Sequence, residues 1–564
     1  MRASPENEVK ELTPEGFNVR SRVHEYGGGD FWVHGDVLYF VNDNDQRIYR
    51  QTQTAAPIAI TPEPNIEKAI RYADGVVTPQ GDKIICVREQ HHPDIIENDL
   101  IEITVKTGEI RILEQGADFY TSPRLTEDGN TLAFICWHHP QMPWDGTELW
   151  IRKNTGEKEK IAGGENESVY QPEFFGDDIY YASDRSGYWN VYKNHENLCE
   201  INADIGLPHW VFGTNTYAIL DEETIACIIT EQGERTLTLI NKGKSHRIAL
   251  PWREFGANIR MRNTKCIFSA SSPHEVSQLI SYNLDSEKTA IIREHETPIK
   301  QAYLSEPEAI HFPTSDDQTA HGFYYPPKNE DILVPENEAP PLIVLSHGGP
   351  TANTSLAFNA DIQFWTSRGF AVVDVNYRGS TGYGRAYRDA LKKQWGIYDV
   401  NDCKAAADYL VLKNKANPNA LIIKGRSAGG YTTLAALTFT NRFTAGTSYY
   451  GISDLELIAN DTHKFELHYC DSLVGKYPEE KAVYQARSPI HYPEKLTCPI
   501  IFLQGLEDKV VPPVQAEKMI EKLKEKGLAY EYVTFESEGH GFRNAKNLEK
   551  ALETELEFYK SYIL

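Results

Sequence analysis

The sequence predicts a two-part chain: a β-propeller, then a domain built on a mostly parallel sheet with helices on both faces. Three observations carry this. Residues 1–305 read as short strands and turns without helical periodicity. Residues 306–564 alternate continuous apolar runs with helical stretches. A chain of 564 residues is also too long for one ordinary core.

In the first part, "GDVLYFVND", "GDKIICVRE", "GNTLAFICW", "DDIYYASDRSGYWNVYKN" and "SQLISYNLD" are β-rich runs bounded by Gly, Asp or Asn. "TPQGDKIICV" (78–87) and "TEDGNTLAFI" (126–135) repeat one plan: a turn, a glycine, a polar residue, an apolar strand. Repeated short sheets at roughly 40–45 residues per blade give about six to seven blades. A large β-sandwich is the alternative.

In the second part, "PLIVLSHGGP", "FAVVDVNYRG", "ALIIKGRSAGG" and "CPIIFLQGLED" are apolar runs of the buried parallel-strand type. "NDCKAAADYLVLKN" and "PPVQAEKMIEKLKEKG" are helical, and the closing "LEKALETELEFYKSYIL" reads as a packed amphipathic helix. The Pro- and acid-rich 324–341 stretch is expected to be a surface loop.

Composition bounds the function. A net charge of −24 argues against nucleic acid and anionic membranes as partners. The eight cysteines include no C-x-x-C pair, so no zinc knuckle or redox motif is signalled. The N-terminal stretch "MRASPENEVKELTPEG" has no apolar signal segment, and no run reaches the length of a membrane span. A cytoplasmic protein with free thiols is expected.

The chemistry gathers at "LIIKGRSAGGYTTL" (421–434). Gly425-x-Ser427-x-Gly429 lies between an expected strand and an expected helix, the context of a nucleophile elbow. The turn is too sharp for bulky neighbours, which glycines at 425 and 429 avoid. The helix would aim its first N–H groups at the site, so the Ala428 N–H can hold an oxyanion. A nucleophilic serine needs a base and the base an orienter. In an α/β-hydrolase domain these follow in the order Ser, Asp or Glu, His. Asp508 in "LEDKVVPP" and His540 in "SEGHGF" supply that order, each just past an expected strand. Glu507 is a rival carboxylate. "SHGGP" (346–350) follows another strand and would give the second oxyanion N–H, from Gly348 or Gly349.

"SHGGP", "VNYRGSTGYG", "GRSAGGY", "LQGLEDKVVPP" and "EGHGF", in this order, resemble the prolyl oligopeptidase family of serine peptidases. The likeness is to its acylaminoacyl-peptidase and dipeptidyl-aminopeptidase-like bacterial branch. Upstream, "SRVHEYGGG", "RYADGVVTPQGDK" and "SDRSGYWNVY" look like that branch's propeller. The resemblance implies a triad of Ser427, Asp508 and His540, with oxyanion donors from Ala428 and the "HGGP" loop. It implies short peptide substrates, admitted under a propeller that covers the site. It also implies several dozen residues ahead of "FNVRSRVHEYGGG" where this sequence has few, so the opening part of the propeller is expected to be shortened.

Specificity is less legible. Dipeptidyl peptidases hold the substrate's free amine with carboxylates; Glu89, Glu173 and Glu466 are candidates. Tyr449, Tyr450, Phe465 and Tyr469, in an aromatic block after the elbow, are candidates for the primary pocket, with ordinary core as the alternative.

A metallopeptidase is unsupported: four His-Glu pairs exist, but the fourth position after each His holds Gly28, Cys199, Gln278 or Ile299. "GKS" (243–245) lacks the earlier glycine of a phosphate loop, since position 238 is Thr238. The sequence calls for no metal and no organic cofactor. It leaves a homo-oligomer open. The expected function is a serine peptidase working on short peptides through an acyl-enzyme. The rivals are a carboxylesterase on the same fold and a catalytically weak propeller binding protein.

Overall fold

The computed structural model describes residues 2–3, 9–53, 55–332 and 338–563. Residues 4–8 of the N-terminal stretch and 333–337 of the expected 324–341 loop lie outside the described residues.

The first part is a six-bladed β-propeller. Its six four-stranded antiparallel sheets span Phe31–Ala59, Ile70–Glu114, Phe119–Gly164, Val169–Asn197, Tyr217–Arg247 and Glu254–Arg293. Each runs through its strands in chain order, so consecutive strands pair as antiparallel hairpins. The two repeated segments occupy equivalent hairpins. In one, Thr78 pairs with Lys83 across the turn; in the other, Thr126 pairs with Thr131. The inner blades are apolar on both faces because each is packed between two neighbours. In strand Lys83–His91, Ile84 and Cys86 meet Trp32 and Tyr39 of the blade before, while Ile85 and Val87 share a core with Leu132 and Phe134 of the blade after.

All six sheets contribute to the wall of one central channel of about 1030 Å³, with Trp32, Val76, Arg124, Glu173, Ile219 and Arg260 as one residue from each. Two loops cross between this channel and the second domain. Phe212 donates its N–H to the Gly27 carbonyl at 2.9 Å, and Asp74 donates to the Gly29 carbonyl at 2.9 Å. The backbones touch: a Cβ on Gly28 would lie 2.5 Å from the Phe212 carbonyl oxygen. The "EYGGG" run is thus a propeller crossing that needs glycine.

The second part is an eight-stranded sheet. Its strands are β1 (Glu308–Pro313), β2 (Thr319–Tyr325), β3 (Leu342–Ser346), β4 (Ala371–Asn376), β5 (Leu421–Arg426), β6 (Ala445–Tyr449), β7 (Ile500–Gly505) and β8 (Tyr530–Phe535). Their order is β1-β2-β4-β3-β5-β6-β7-β8, and every pair from β4 onward is parallel. The β5 side chains divide by the strand period of two. Ile423 packs with Leu434 and Met519 of the helices on one face, and Ile422 packs with Trp365 and Phe558 of those on the other. The C-terminal helix Ala545–Tyr562 starts at Asn544, whose side chain accepts from the Lys546 N–H, and it buries Ala551, Glu555, Phe558 and Tyr559. Among the described residues, no helix is long and apolar enough to cross a membrane.

The parts are joined by buried charge. Arg388 donates to Asp184 at 2.5 Å and to the Trp144 carbonyl at 3.0 Å, with its guanidinium 4.1 Å over the Trp189 ring. Arg385 reaches the same carboxylate at 2.7 Å. On another side of the site, the His24 ring stacks on Phe465 at 5.1 Å.

Candidate active site

Ser427 sits at the tip of β5, where the strand turns into the helix Ala428–Phe439. Its φ of 54° and ψ of −121° are strained for a residue with a Cβ, as a sharp elbow requires. The flanking glycines are fixed by close approach. A Cβ on Gly425 would fall 2.1 Å from the Gly429 carbonyl oxygen, and one on Gly429 would fall 2.0 Å from that of Ser346.

The structure brings Ser427, Asp508 and His540 together. His540 Nε2 lies 2.9 Å from Ser427 Oγ, and Nδ1 lies 2.8 Å from Asp508 Oδ2. With the Nδ1 proton donated to Asp508, Nε2 presents its lone pair to the serine hydroxyl. Asp508 is itself held: its Oδ1 accepts the N–H groups of Val510 and Val511, each at 2.9 Å. It is buried, whereas the rival Glu507 is exposed. The His540 loop has its own brace, which the sequence reading missed. The Glu538 carboxylate accepts from the N–H groups of Arg543 and Asn544, each at 2.9 Å, and from the Asn547 amide at 2.8 Å. Burial alone would raise this carboxyl; these donors outweigh it and hold it below the usual range.

Gly348 and Gly349 line the same pocket as Ser427, Ala428 and His540. A Cβ on Gly348 would stand 3.6 Å from Ser427 Cβ, so this backbone passes directly beside the nucleophile. His347, one residue earlier, is turned away. Its Nε2 bonds Ser380 Oγ at 2.8 Å and its ring stacks on Tyr377 at 4.2 Å. Burial pushes its pKa down to about 4.

The pocket encloses about 300 Å³. Trp395, Ile452, Val511 and Tyr469 give it apolar walls, and the propeller adds Tyr26 and Trp210. Of the four aromatic candidates, Tyr469 alone is in the lining; its hydroxyl also takes the Thr351 N–H at 3.0 Å. Tyr449, Tyr450 and Phe465 are not in the lining. The Tyr449 side chain enters the core on the C-terminal-helix face, where its hydroxyl donates to Glu555 at 2.5 Å. The Tyr450 ring packs edge-on against His540, 4.9 Å away, and against Phe542. Phe465 is buried between His24 and Trp210 at the domain junction. The sequence missed Tyr26 and Trp210, since nothing local marks a wall supplied by another domain, and it missed Trp395, which lies outside the aromatic block after the elbow.

Of the three candidate glutamates, only Glu466 lines the pocket, and it is the one carboxylate among its described lining residues. Tyr26 donates its hydroxyl to Glu466 Oε1 at 2.9 Å, and His463 Nε2 lies 3.5 Å from Oε2. Glu89 is buried inside the propeller, where it accepts the His24 N–H at 3.1 Å and pairs with His91 at 2.8 Å. Glu173 pairs with Arg124 at 3.1 Å on the channel wall.

Comparison with known proteins agrees with this geometry. The prolyl oligopeptidase family profile matches residues 356–564. A solved puromycin-hydrolysing peptidase of Mycobacterium tuberculosis is 35% identical, covers 99% of this chain with 90% of its own, and superposes with a TM-score of 0.95. Dipeptidyl peptidase family member 6 of Caenorhabditis elegans is 28% identical over 49% of this chain and 40% of its own length. The acylamino-acid-releasing enzyme of Arabidopsis thaliana is 28% identical over 36% of this chain and 27% of its own. The chain therefore matches less than half the length of each of these two curated relatives. A nucleophile elbow under a propeller, and a likeness to the mycobacterial enzyme along nearly the whole chain, lead to one assignment: the chain belongs to the prolyl oligopeptidase family of serine peptidases.

Proposed function

We propose that this chain is a serine exopeptidase that removes an N-terminal residue from short peptides and aminoacyl amides bearing a free amine. The observation that carries this is Glu466, the carboxylate that shares a 300 Å³ pocket with Ser427. That volume is at the small end for ligand sites, about 300–1,000 Å³, and suits one side chain with its α-amine rather than a length of chain. An ammonium is what a half-buried carboxylate in apolar walls would bind. An N-acyl group would offer that carboxylate no positive charge. The mycobacterial neighbour is described as a puromycin-hydrolysing peptidase.

The steps follow from the placement of the groups. Ser427 Oγ attacks the carbonyl carbon while His540 Nε2 takes its proton. Asp508 stabilises the imidazolium and keeps its orientation. The oxyanion is held by the Ala428 N–H and an N–H of the Gly348–Gly349 loop. His540 returns the proton to the leaving amine as the C–N bond breaks. Water then attacks the acyl-enzyme by the same route in reverse.

The test compares a free aminoacyl fluorogenic amide with its N-acetyl analogue, using Ser427→Ala as control. The free substrate should turn over, the control should not, and acetylation should slow the rate by more than about ten-fold. Equal or faster cleavage of the acetylated amide would reassign the chain to acyl-peptide release. Mass spectrometry of digested peptides should show losses of single residues; losses of residue pairs would make it a dipeptidyl peptidase.

A further inference from the structure

Lys424 lies on β5 three residues before Ser427, with its side chain 2% exposed on the face covered by the apolar residues Ile343, Trp365 and Phe558. Its ammonium is shared at 2.9 Å each by Asp361, on helix Ala360–Thr366, and Glu555, on the C-terminal helix. Arg426, next on the same face, donates to the other Asp361 oxygen at 2.8 Å. Two cations thus meet two anions. Burial alone would raise the Asp361 carboxyl; Lys424 and Arg426 outweigh it and hold it below the usual range.

Glu555 has a second task. The Oε2 atom that holds Lys424 also accepts the Tyr449 hydroxyl at 2.5 Å. The Tyr449 carbonyl in turn accepts the Ser427 N–H at 3.0 Å. One carboxylate therefore ties down both strands beside the elbow: β5 through Lys424, and β6 through the residue whose carbonyl grips the nucleophile's own amide. A buried ion pair is a poor device for stability, because apolar residues of similar volume do as well or better. A strained φ/ψ persists only where its surroundings over-determine it, and Ser427 is strained.

We propose that Lys424, Glu555 and Asp361 are positioning residues for the nucleophile, holding the Ser427 elbow at attack geometry from the face of the sheet opposite the elbow helix. This rests on Ser427 being the nucleophile, so the test reads Ser427 directly. A small fluorophosphonate is used, whose fluoride leaves as Ser427 Oγ bonds phosphorus. The charge-balanced variant Lys424→Met/Glu555→Gln keeps the Arg426–Asp361 pair. It should melt at or above the wild-type temperature. Every molecule should still be labelled at completion, but roughly 10- to 100-fold more slowly. kcat should fall by the same factor with KM unchanged and the acid limb of the pH–rate profile unmoved. Tyr449→Phe, which removes only the hydroxyl link, should change the rate in the same direction by a smaller factor. Labelling at the wild-type rate would overturn the proposal. So would partial labelling in which the active fraction reacts at the wild-type rate, because that is what a merely structural role produces. Failure of wild-type protein to label would instead overturn the peptidase reading beneath it.

Discussion

Tyr26 of the propeller donates its hydroxyl to Glu466 of the catalytic domain at 2.9 Å, across 440 residues of sequence. Burial first, and then the Glu466 carboxylate, pushes the tyrosine pKa well up, so the phenol stays a donor. The carboxylate proposed to hold the substrate's amine is thus oriented by the other domain.

Glu466→Gln should raise KM for free-amine substrates by roughly 10- to 100-fold, the loss of a charge-assisted hydrogen bond of about 1.5–3 kcal/mol. The rate on an N-acetyl analogue should hardly move. Tyr26→Phe should shift KM the same way by less. Steady-state kinetics on the paired substrates decides it: an equal effect on both would show that Glu466 only shapes the wall.

Asp508→Asn should cost about 10⁴ in kcat while leaving the fold intact, because an amide cannot hold His540 in the tautomer that accepts the serine proton. Ser427→Ala should abolish the acyl-enzyme. A burst assay on both variants checks this; a variant at Asp508 with near wild-type kcat would make Glu507 the orienter.

Arg388→Ala should destabilise the protein by about 3–5 kcal/mol, because it leaves Asp184 buried beside a single remaining arginine. The denaturant midpoint reads this directly. A loss below about 1 kcal/mol would show that Arg385 alone satisfies the carboxylate.

Stability should be greatest on a plateau between about pH 4.5 and 6.5. Burial pushes His24 down to about 3 and His347 to about 4, against 6.5 when unfolded. Each contributes stability that is present above about 6.5 and lost as pH falls toward those values. Burial pushes Asp374 and Glu254 up to about 7, from 3.8 and 4.5. Their contribution is fully present below about 3.8 and 4.5 and is lost as pH rises from there to about 7. Melting temperatures across that range should trace a dome. Asp374→Asn should remove one proton's share of the loss between about pH 4 and 7, and an unchanged profile there would remove that residue from the account.

The elbow was legible because its requirements are local: a strand, two glycines that cannot carry a Cβ, and a helix. The partners were legible because α/β sheets place them after later strands in a set order. Glu507 and Asp508 could not be separated in that way; only the structure shows which one accepts the amides of Val510 and Val511. The pocket was not legible. Aromatic content marked Tyr449 and Phe465, but one faces the C-terminal helix and the other the domain junction, and composition says nothing about facing. Tyr26 and Trp210 reach the site only through tertiary assembly. The sequence left six to seven blades open because hairpin spacing varies too much along a sequence to fix the count; the six four-stranded sheets settle it.

The crossing of Gly27–Gly29 with Phe212, which stands between the propeller channel and the catalytic domain, places Tyr26 and Trp210 as walls of the pocket. The pocket is therefore a joint property of two bodies. If they part, two walls and the tyrosine that aims Glu466 leave together. The pocket would then keep its nucleophile and Glu466 but lose the two propeller walls.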